Sequence, residues 1–441
     1  MTGTSESAGP GDVGRNMAFA ALTNMIAPAA AFATAPILAR ALGVEERGEA
    51  GAAVAPLLLM TAVAAIGLPS AITVLSAKRP EIARFALLHA TALVTASGIL
   101  ATVAAIVLAP VLSGGAPGLA ELIAATSLAI VPSLIVATLR GAASGHHAWS
   151  LVNADKLLSA ITRLAGIVVL MVNGMLSLPT AVAVIALSPV VGGLAYLRLP
   201  RHMMRGGAAP AGYRISRDLL GFGSRVWIGS MSGILLSRLD QVLIVPLSDA
   251  NQLGYYVTAV SVAEVALVAN NAVRDVILSS DAASSDNDVL TRSARVSFLV
   301  SILISVAVAI SMWAWFPLLF GSEFAAAIPV AIILIVAGTI GVPGSVAGAG
   351  LSSRGHPGLR SLALLIAVVV NVIMLVILVP TQGAGGAAVA TLVGNLVSAN
   401  LSLAFFCRMA RLTPAAFYLV RWSDVRTLIG VLGRLRRGAA R

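Results

Sequence analysis

Ionisable side chains lie inside apolar runs of this chain: Arg163, Arg225, Arg238, Asp240, Glu264, Arg274 and Asp275. A charge at membrane depth costs about 2.5–3.5 kcal/mol on insertion scales, so such groups face a cavity or a partner. The chemistry they offer is ion binding. Arginine stays charged and donates two parallel hydrogen bonds to an oxyanion. A carboxylate holds a proton, a cation or a neighbouring guanidinium. The stretch from Arg217 to Ala263 concentrates these groups just past the midpoint, after the most basic loop. It is expected to form one wall of a polar cavity between two halves.

The elements that must carry these groups follow from composition. The 441 residues are 58% hydrophobic and 11% charged, and mean hydropathy is +0.96. Repeated apolar runs of this kind belong to a multi-spanning membrane protein. The net charge of +11 would suggest nucleic acid in a soluble chain. Here it is expected to be loop charge that orients helices and attracts anionic lipid, with no nucleic acid as partner. A single cysteine, Cys407, excludes a disulfide framework and a cysteine metal cluster. No cofactor motif is present: Gly383, Gly385 and Gly386 follow no strand and precede no Lys-Ser/Thr. His146 and His147 are not expected to bind metal. Two lysines among 29 basic residues, with abundant alanine and glycine, suggest a bacterial source.

Twelve apolar segments are expected, at about 16–38, 51–75, 84–112, 119–139, 152–173, 177–197, 219–247, 253–275, 294–319, 324–349, 360–380 and 386–409. The Ala31–Ala35 stretch resembles a signal cleavage site, but only Arg15 precedes it and the apolar run is long, so an uncleaved span is expected. Arginine distribution orients the set. The middle loop holds Arg198, Arg201, Arg205, Arg214 and Arg217, and the tail holds a run from Arg408 to Arg441. The loops on the other side hold only Arg40 and Arg47. Both termini are therefore expected in the cytoplasm of a bacterial plasma membrane. The tail after 411 places Val425, Leu428, Ile429, Leu432 and Leu435 on one face, the pattern of a helix on the cytoplasmic leaflet.

The two halves repeat. Residues 38–54 answer 243–260 with Gly48 on Gly254, an offset of 206. Residues 142–150 answer 352–360, with Gly145 on Gly355 and His146 on His356. Six spans per half give parallel repeats about an axis along the membrane normal. The expected fold is thus an all-α membrane protein of about twelve helices in two lobes. The expected divisions are a disordered 1–14, an N-terminal lobe 15–200, a cytoplasmic loop 201–216, a C-terminal lobe 217–410 and a basic amphipathic tail 411–441.

The stretch LLGFGSRVWIGSMSGILLSRLDQVLIVPLSDANQLGYYVTAV at 219–260 resembles the seventh span of polysaccharide-type lipid flippases of the multidrug/oligosaccharidyl-lipid/polysaccharide exporter superfamily. Residues 37–51, 139–157 and 379–397 resemble that family's connections between spans one and two, four and five, and eleven and twelve. The resemblance implies two six-helix lobes, a central cavity, and export of a lipid-linked or amphiphilic solute by alternating access. Such a cargo carries phosphate across a region of low dielectric. Arg163, Arg225 and Arg274, with Asn24, are the expected substrate-binding residues. Glu264 and Asp240 are expected to couple the cycle to H+ or Na+, or to neutralise an arginine. Arg225 and Asp240 lie about 60° apart around their helix and about 22 Å apart along it. Arg238 points elsewhere, towards the outer surface. Glu264, Asn271 and Asp275 share a face, and Asn371, Asn395 and Asn400 add hydrogen-bonding capacity. Partners would be a lipid-linked glycan, anionic lipid at the tail and polysaccharide biosynthesis enzymes. The alternatives are a cation-coupled multidrug exporter, whose cavity would be acidic and aromatic, and a membrane-embedded glycan transferase or non-transporting scaffold. A transferase would need long outer loops that the sequence lacks, and no enzymatic activity is expected.

Overall fold

The computed structural model describes residues 10–198, 215–281, 286–419, 421, 422 and 424. The expected inter-lobe loop at 201–216 and the amphipathic segment after 424 therefore fall almost wholly outside the described residues. Described secondary structure is entirely helical. The helices are α1 (Pro10–Ala64), α2 (Leu68–Lys78), α3 (Ala83–Leu112), α4 (Pro117–Ser127), α5 (Ile130–Gly145), α6 (Trp149–Val172), α7 (Leu178–Gly192), α8 (Ile215–Leu247), α9 (Ala250–Asp281), α10 (Asn287–Phe320), α11 (Ala327–Ser353), α12 (Pro357–Ala410) and α13 (Ala415–Tyr418). Short 3-10 turns occupy Pro80–Ile82, Gly193–Arg198 and Ser322–Ala326.

Among the described residues seven helices are long and apolar enough to cross a membrane, or eight if the bent pair Pro28–Ala64 and Leu68–Lys78 forms one span. Two of the long elements are each broken inside. At 55 and 54 residues, α1 and α12 would reach about 80 Å if straight, far beyond a bilayer core of about 30 Å. Gly43 (φ 73°, ψ −175°) and Gly383 (φ 53°, ψ −129°) interrupt them. Both conformations are disfavoured for residues with a Cβ. The outer loops expected around 39–50 and 381–385 are thus single-residue breaks, and helix resumes at once on either side.

Lipid replaces water around this bundle. Leu100, Val107, Ile310 and Leu318 are each about seven-tenths exposed, a surface that only an apolar solvent tolerates on this scale. Apolar burial supplies little drive between helices in lipid, so close approach of small residues takes its place. A Cβ on Gly344 of α11 would overlap Ala399 of α12. One core gathers the buried aromatics Tyr256, Phe316, Phe320 and Phe324 near Gly43 and Gly383. This end is the one expected on the outside from the arginine distribution, and it is called the outer end below.

At the opposite end the chain after α12 turns back onto the bundle. Phe417 is buried edge-on against Phe406, with ring centroids 5.7 Å apart. Buried Asp424 accepts from Arg295 Nε (2.7 Å), Arg295 Nη2 (3.2 Å) and the Arg421 N–H (2.8 Å). Arg295 Nη1 also donates to the Ala416 carbonyl at 2.8 Å. The start of the expected leaflet helix is therefore docked on protein, because Phe417 and Asp424 find partners there. Burial alone would raise the Asp424 carboxyl. The Arg295 and Arg421 hydrogen bonds and the charges of Arg295 and Arg292 outweigh it and hold the group below its usual value.

A carboxylate depressed in the folded state stabilises above its unfolded value of about 4. That contribution is lost as pH falls through the lowered folded value. A spin label at position 419 is expected to be restrained at pH 7 and to loosen below about pH 4. Asp424→Asn should loosen it already at pH 7; unchanged mobility in that variant would contradict the clamp.

Candidate functional site

A cavity of about 530 Å³ lies between helices of the first and second halves. Its walls come from α1, α5, α6 and α7 on one side and from α8 and α9 on the other. After the Gly43 break, the lining along α1 runs from Arg47 to Ala62, about 22 Å at 1.5 Å per residue. Small residues such as Ala50, Gly51 and Ala62 leave the space open, and four arginines, Arg47, Arg140, Arg163 and Arg238, project charge into it. Among the described residues Glu264 is the one carboxylate in the lining.

Each arginine is held differently. Arg140, near the arginine-rich end, donates through Nε to Asp155 Oδ2 at 2.6 Å. Asp155 is fully buried and also accepts from the Tyr196 hydroxyl at 2.8 Å. This fastens α5, α6 and the Gly193–Arg198 turn together and fixes the guanidinium. Arg163 on α6 donates through Nε to Thr34 Oγ1 at 3.3 Å, a long bond that leaves most of its donors for other partners. Arg238 on α8 pairs with Glu264 on α9, Nη2 to Oε1 at 2.8 Å. Arg47 is 6% exposed, and its Nε has no hydrogen-bond partner among the described residues. Buried Gln241 lines the same cavity with its Nε2 likewise unpartnered. Among the described residues Arg47 and Arg163 have no carboxylate in ion-pair contact. The cavity therefore carries surplus positive charge where an anion would find prepared donors.

A second cavity of about 220 Å³ lies within the second half, lined in part by Ser237, Asp240, Tyr256, Glu264, Thr391 and Asn395. Asp240 is 2% exposed. Its Oδ2 accepts from the Tyr256 hydroxyl and from Thr391 Oγ1 at 3.1 Å, and its Oδ1 accepts from the Gln241 N–H at 2.7 Å. Glu264 borders both cavities.

The expected site residues distribute unevenly. Arg163 and Glu264 share the larger cavity, while Asp240 faces the smaller one with hydroxyl partners in place of the arginine considered for it. Asn24, Arg225 and Arg274 sit on α1, α8 and α9, but their side chains lie outside the described residues, as do those of Asn271 and Asp275. Arg238 corrects the sequence expectation: it turns into the cavity because Glu264 on the neighbouring helix offers a charged partner there. Arg47 was missed. Three successive charges, Glu45, Glu46 and Arg47, read as loop. Helix resumes at Val44, so Glu45 and Glu46 are exposed and Arg47 turns inward. The adjacent repeat glycine, Gly48, was the available signal.

Residues 13–278 match the protein family described as Polysaccharide biosynthesis protein. The chain belongs to that family. A curated relative, the probable low-salt glycan biosynthesis flippase Agl15 of Haloferax volcanii, is 28% identical over 229 residues, covering 50% of this chain and 48% of the relative. The chain thus spans about half the length of the curated relative it matches. The fold is similar over almost the whole chain to two solved structures. One is an inward-facing multidrug resistance MATE family transporter of the MOP superfamily, with TM-score 0.71, 16% identity, and coverage of 90% of this chain and 98% of that one. The other is the lipid II flippase MurJ in an inward closed conformation, with TM-score 0.70, 13% identity, and coverage of 97% and 100%. The family member described here is accordingly an all-helical, multi-pass membrane protein with a transporter-type fold.

Proposed function

We propose that this protein flips a lipid-linked oligosaccharide, or exports a related polysaccharide precursor, by alternating access. The observation that carries this reading is the cavity between the halves, with Arg47, Arg140, Arg163 and Arg238 in its walls. Its volume is that of a ligand-sized pocket: a phosphate and its first sugars fit while the lipid tail stays in the bilayer. A polyanionic headgroup crossing a low-dielectric core needs fixed positive charge along its route. Family membership and the flippase named among the relatives support this cargo class.

In this reading twelve spans form two six-helix lobes, 15–200 and 217–410, with α1 and α12 each contributing two spans through their glycine breaks. Both termini face the cytoplasm of a bacterial cell membrane. Arg163 binds phosphate, joined by Arg225, Arg274 and Asn24. Glu264 and Asp240 couple the cycle to a cation or proton. The basic tail rests on anionic lipid and offers a site for biosynthetic enzymes. The protein acts as a carrier and performs no bond chemistry.

A multidrug exporter is the second reading, favoured by the likeness to the MATE transporter fold and by the acidic, tyrosine-bearing smaller cavity. Surplus arginine in the larger cavity opposes it, since cationic drugs would be repelled. Reconstituted proteoliposomes carrying a fluorescent polyprenyl-pyrophosphate sugar decide between them. Flipping of that lipid supports the proposal. Its absence, together with gradient-driven movement of organic cations, would replace the proposal with the exporter.

A further inference from the structure

The repeat pairs Gly48 with Gly254, and the structure presses these two residues against each other. A Cβ on Gly48 would overlap the Ala250 carbonyl and come within 2.8 Å of the Gly254 nitrogen. A Cβ on Gly254 would overlap the Val44 carbonyl. Val44 and Ala250 are separated by the same 206 positions as Gly48 and Gly254, so the contact is reciprocal, the pattern that a two-fold axis imposes. One turn further in, a Cβ on Gly51 would lie 2.9 Å from Val257 Cγ2, again a pair at offset 206. The axis relating the repeats therefore runs through this backbone contact between α1 and α9. Only residues without a Cβ permit so close an approach. At the same end Arg40 donates to the Leu318 and Leu319 carbonyls at the end of α10, at 3.0 Å for Leu319. Gln252 Oε1 accepts from the Ala384 N–H at 3.0 Å. Together these contacts close the outer end.

Arg47 immediately precedes Gly48 and so sits at the sealed end of the cavity. Its place is set by the glycine contact: the helix bearing it can be no closer to α9 and has no room to turn. It is a buried cation whose Nε has no partner among the described residues, and Arg163 adds electrostatic repulsion. Arg140 lies at the opposite end of the same cavity. We infer that Arg47 is a second phosphate-binding station, at the sealed outer end, positioned by the Gly48–Gly254 contact and taking the headgroup phosphate from the inner arginines before the seal parts for release. The inference rests on the flippase reading and adds to it an order of events: capture at the inner arginines, transfer to Arg47, then opening. Because the station belongs to the seal, parting Gly48 from Gly254 moves Arg47 and weakens its hold on the phosphate when the outer leaflet becomes accessible.

The test separates binding from turnover in proteoliposomes containing a fluorescent polyprenyl-pyrophosphate sugar. Arg47→Gln is expected to bind this lipid from the inner side within about twofold of wild type, yet to flip it about tenfold more slowly or worse. Arg47→Lys should recover part of the rate, since a point charge still attracts phosphate. A second variant probes the seal. In a Ser261→Cys background, where position 261 lines the cavity, Gly48→Val should admit a membrane-impermeant maleimide from outside at a rate raised about tenfold. If wild type flips the lipid and Arg47→Gln flips it equally fast, the station is refuted while the flippase reading stands. Loss of affinity and rate together in Arg47→Gln would also refute it, placing Arg47 with the inner arginines. Unchanged maleimide labelling in Gly48→Val would refute the seal. If wild type flips no such lipid, the parent reading itself fails.

Discussion

Arg163→Ala is expected to slow flipping of a polyprenyl-pyrophosphate sugar by about 10- to 150-fold while leaving the protein folded. Hydrogen bonds to charged groups contribute about 1.5–3 kcal/mol, and about 1.4 kcal/mol corresponds to tenfold. The folded state loses little by comparison. The Arg163 contact with Thr34 is a long 3.3 Å bond, and the attraction to Glu264 that is lost with the guanidinium is offset by relief from burial and from repulsion by Arg238 and Arg47. Thermal stability should therefore stay within about 1 kcal/mol of wild type. Arg163→Lys should be intermediate, because lysine keeps the charge but cannot donate two parallel bonds. Full flipping by Arg163→Ala in the reconstituted system would remove this residue from the site.

The second large effect is expected at Asp240, with stability and transport moving in opposite directions. A buried carboxylate with no cationic partner in contact carries a desolvation cost of several kcal/mol. Among the described residues, the Tyr256 and Thr391 hydroxyls and one backbone N–H meet it. Asparagine at this position keeps every bond satisfied. Its oxygen can accept from the Gln241 N–H, and its amide can donate to hydroxyls that also accept. Asp240→Asn should therefore be as stable as wild type or about 1–2 kcal/mol more stable. Transport should fall about tenfold or more and lose its dependence on Na+ or pH if the carboxylate carries the coupling ion. A variant that is markedly destabilised but, once folded, transports with the wild-type ion dependence would show that the carboxylate serves structure instead.

Apolar run length was enough to read an all-helical membrane fold, because in lipid every backbone polar group must be satisfied within a helix or a closed barrel. The breaks were harder. Gly43 and Gly383 lie within stretches taken as loops, since hydropathy registers a change of polarity and cannot distinguish a loop from a one-residue kink between two helices. Arg163 and Glu264 were legible as cavity residues because each stands nearly alone in an apolar run. Arg47 was not: its charged neighbours Glu45 and Glu46 disguised a helical face, and only the helix phase after Gly43 turns it inward. Arg238 illustrates the limit of single-helix geometry. Its direction depends on Glu264, a partner on another helix, which no periodicity within α8 can show. The match of Gly48 with Gly254 was legible in the sequence, while the close backbone approach of α1 and α9 at these glycines required the two helices to be seen side by side.

The central claim is that cavity arginines carry cargo by its phosphate. The most direct measurement compares two cargoes in the same proteoliposomes: a fluorescent polyprenyl-pyrophosphate sugar and the same sugar on an uncharged polyprenol. Loss of leaflet protection is followed for each, with wild-type protein and with Arg163→Ala. Rapid flipping of the pyrophosphate lipid by wild type, little of the neutral one, and neither by the variant is the predicted result. Equal flipping of both lipids by wild type, unchanged in the variant, would contradict it, because the cavity would then be passing its cargo without reading the charge.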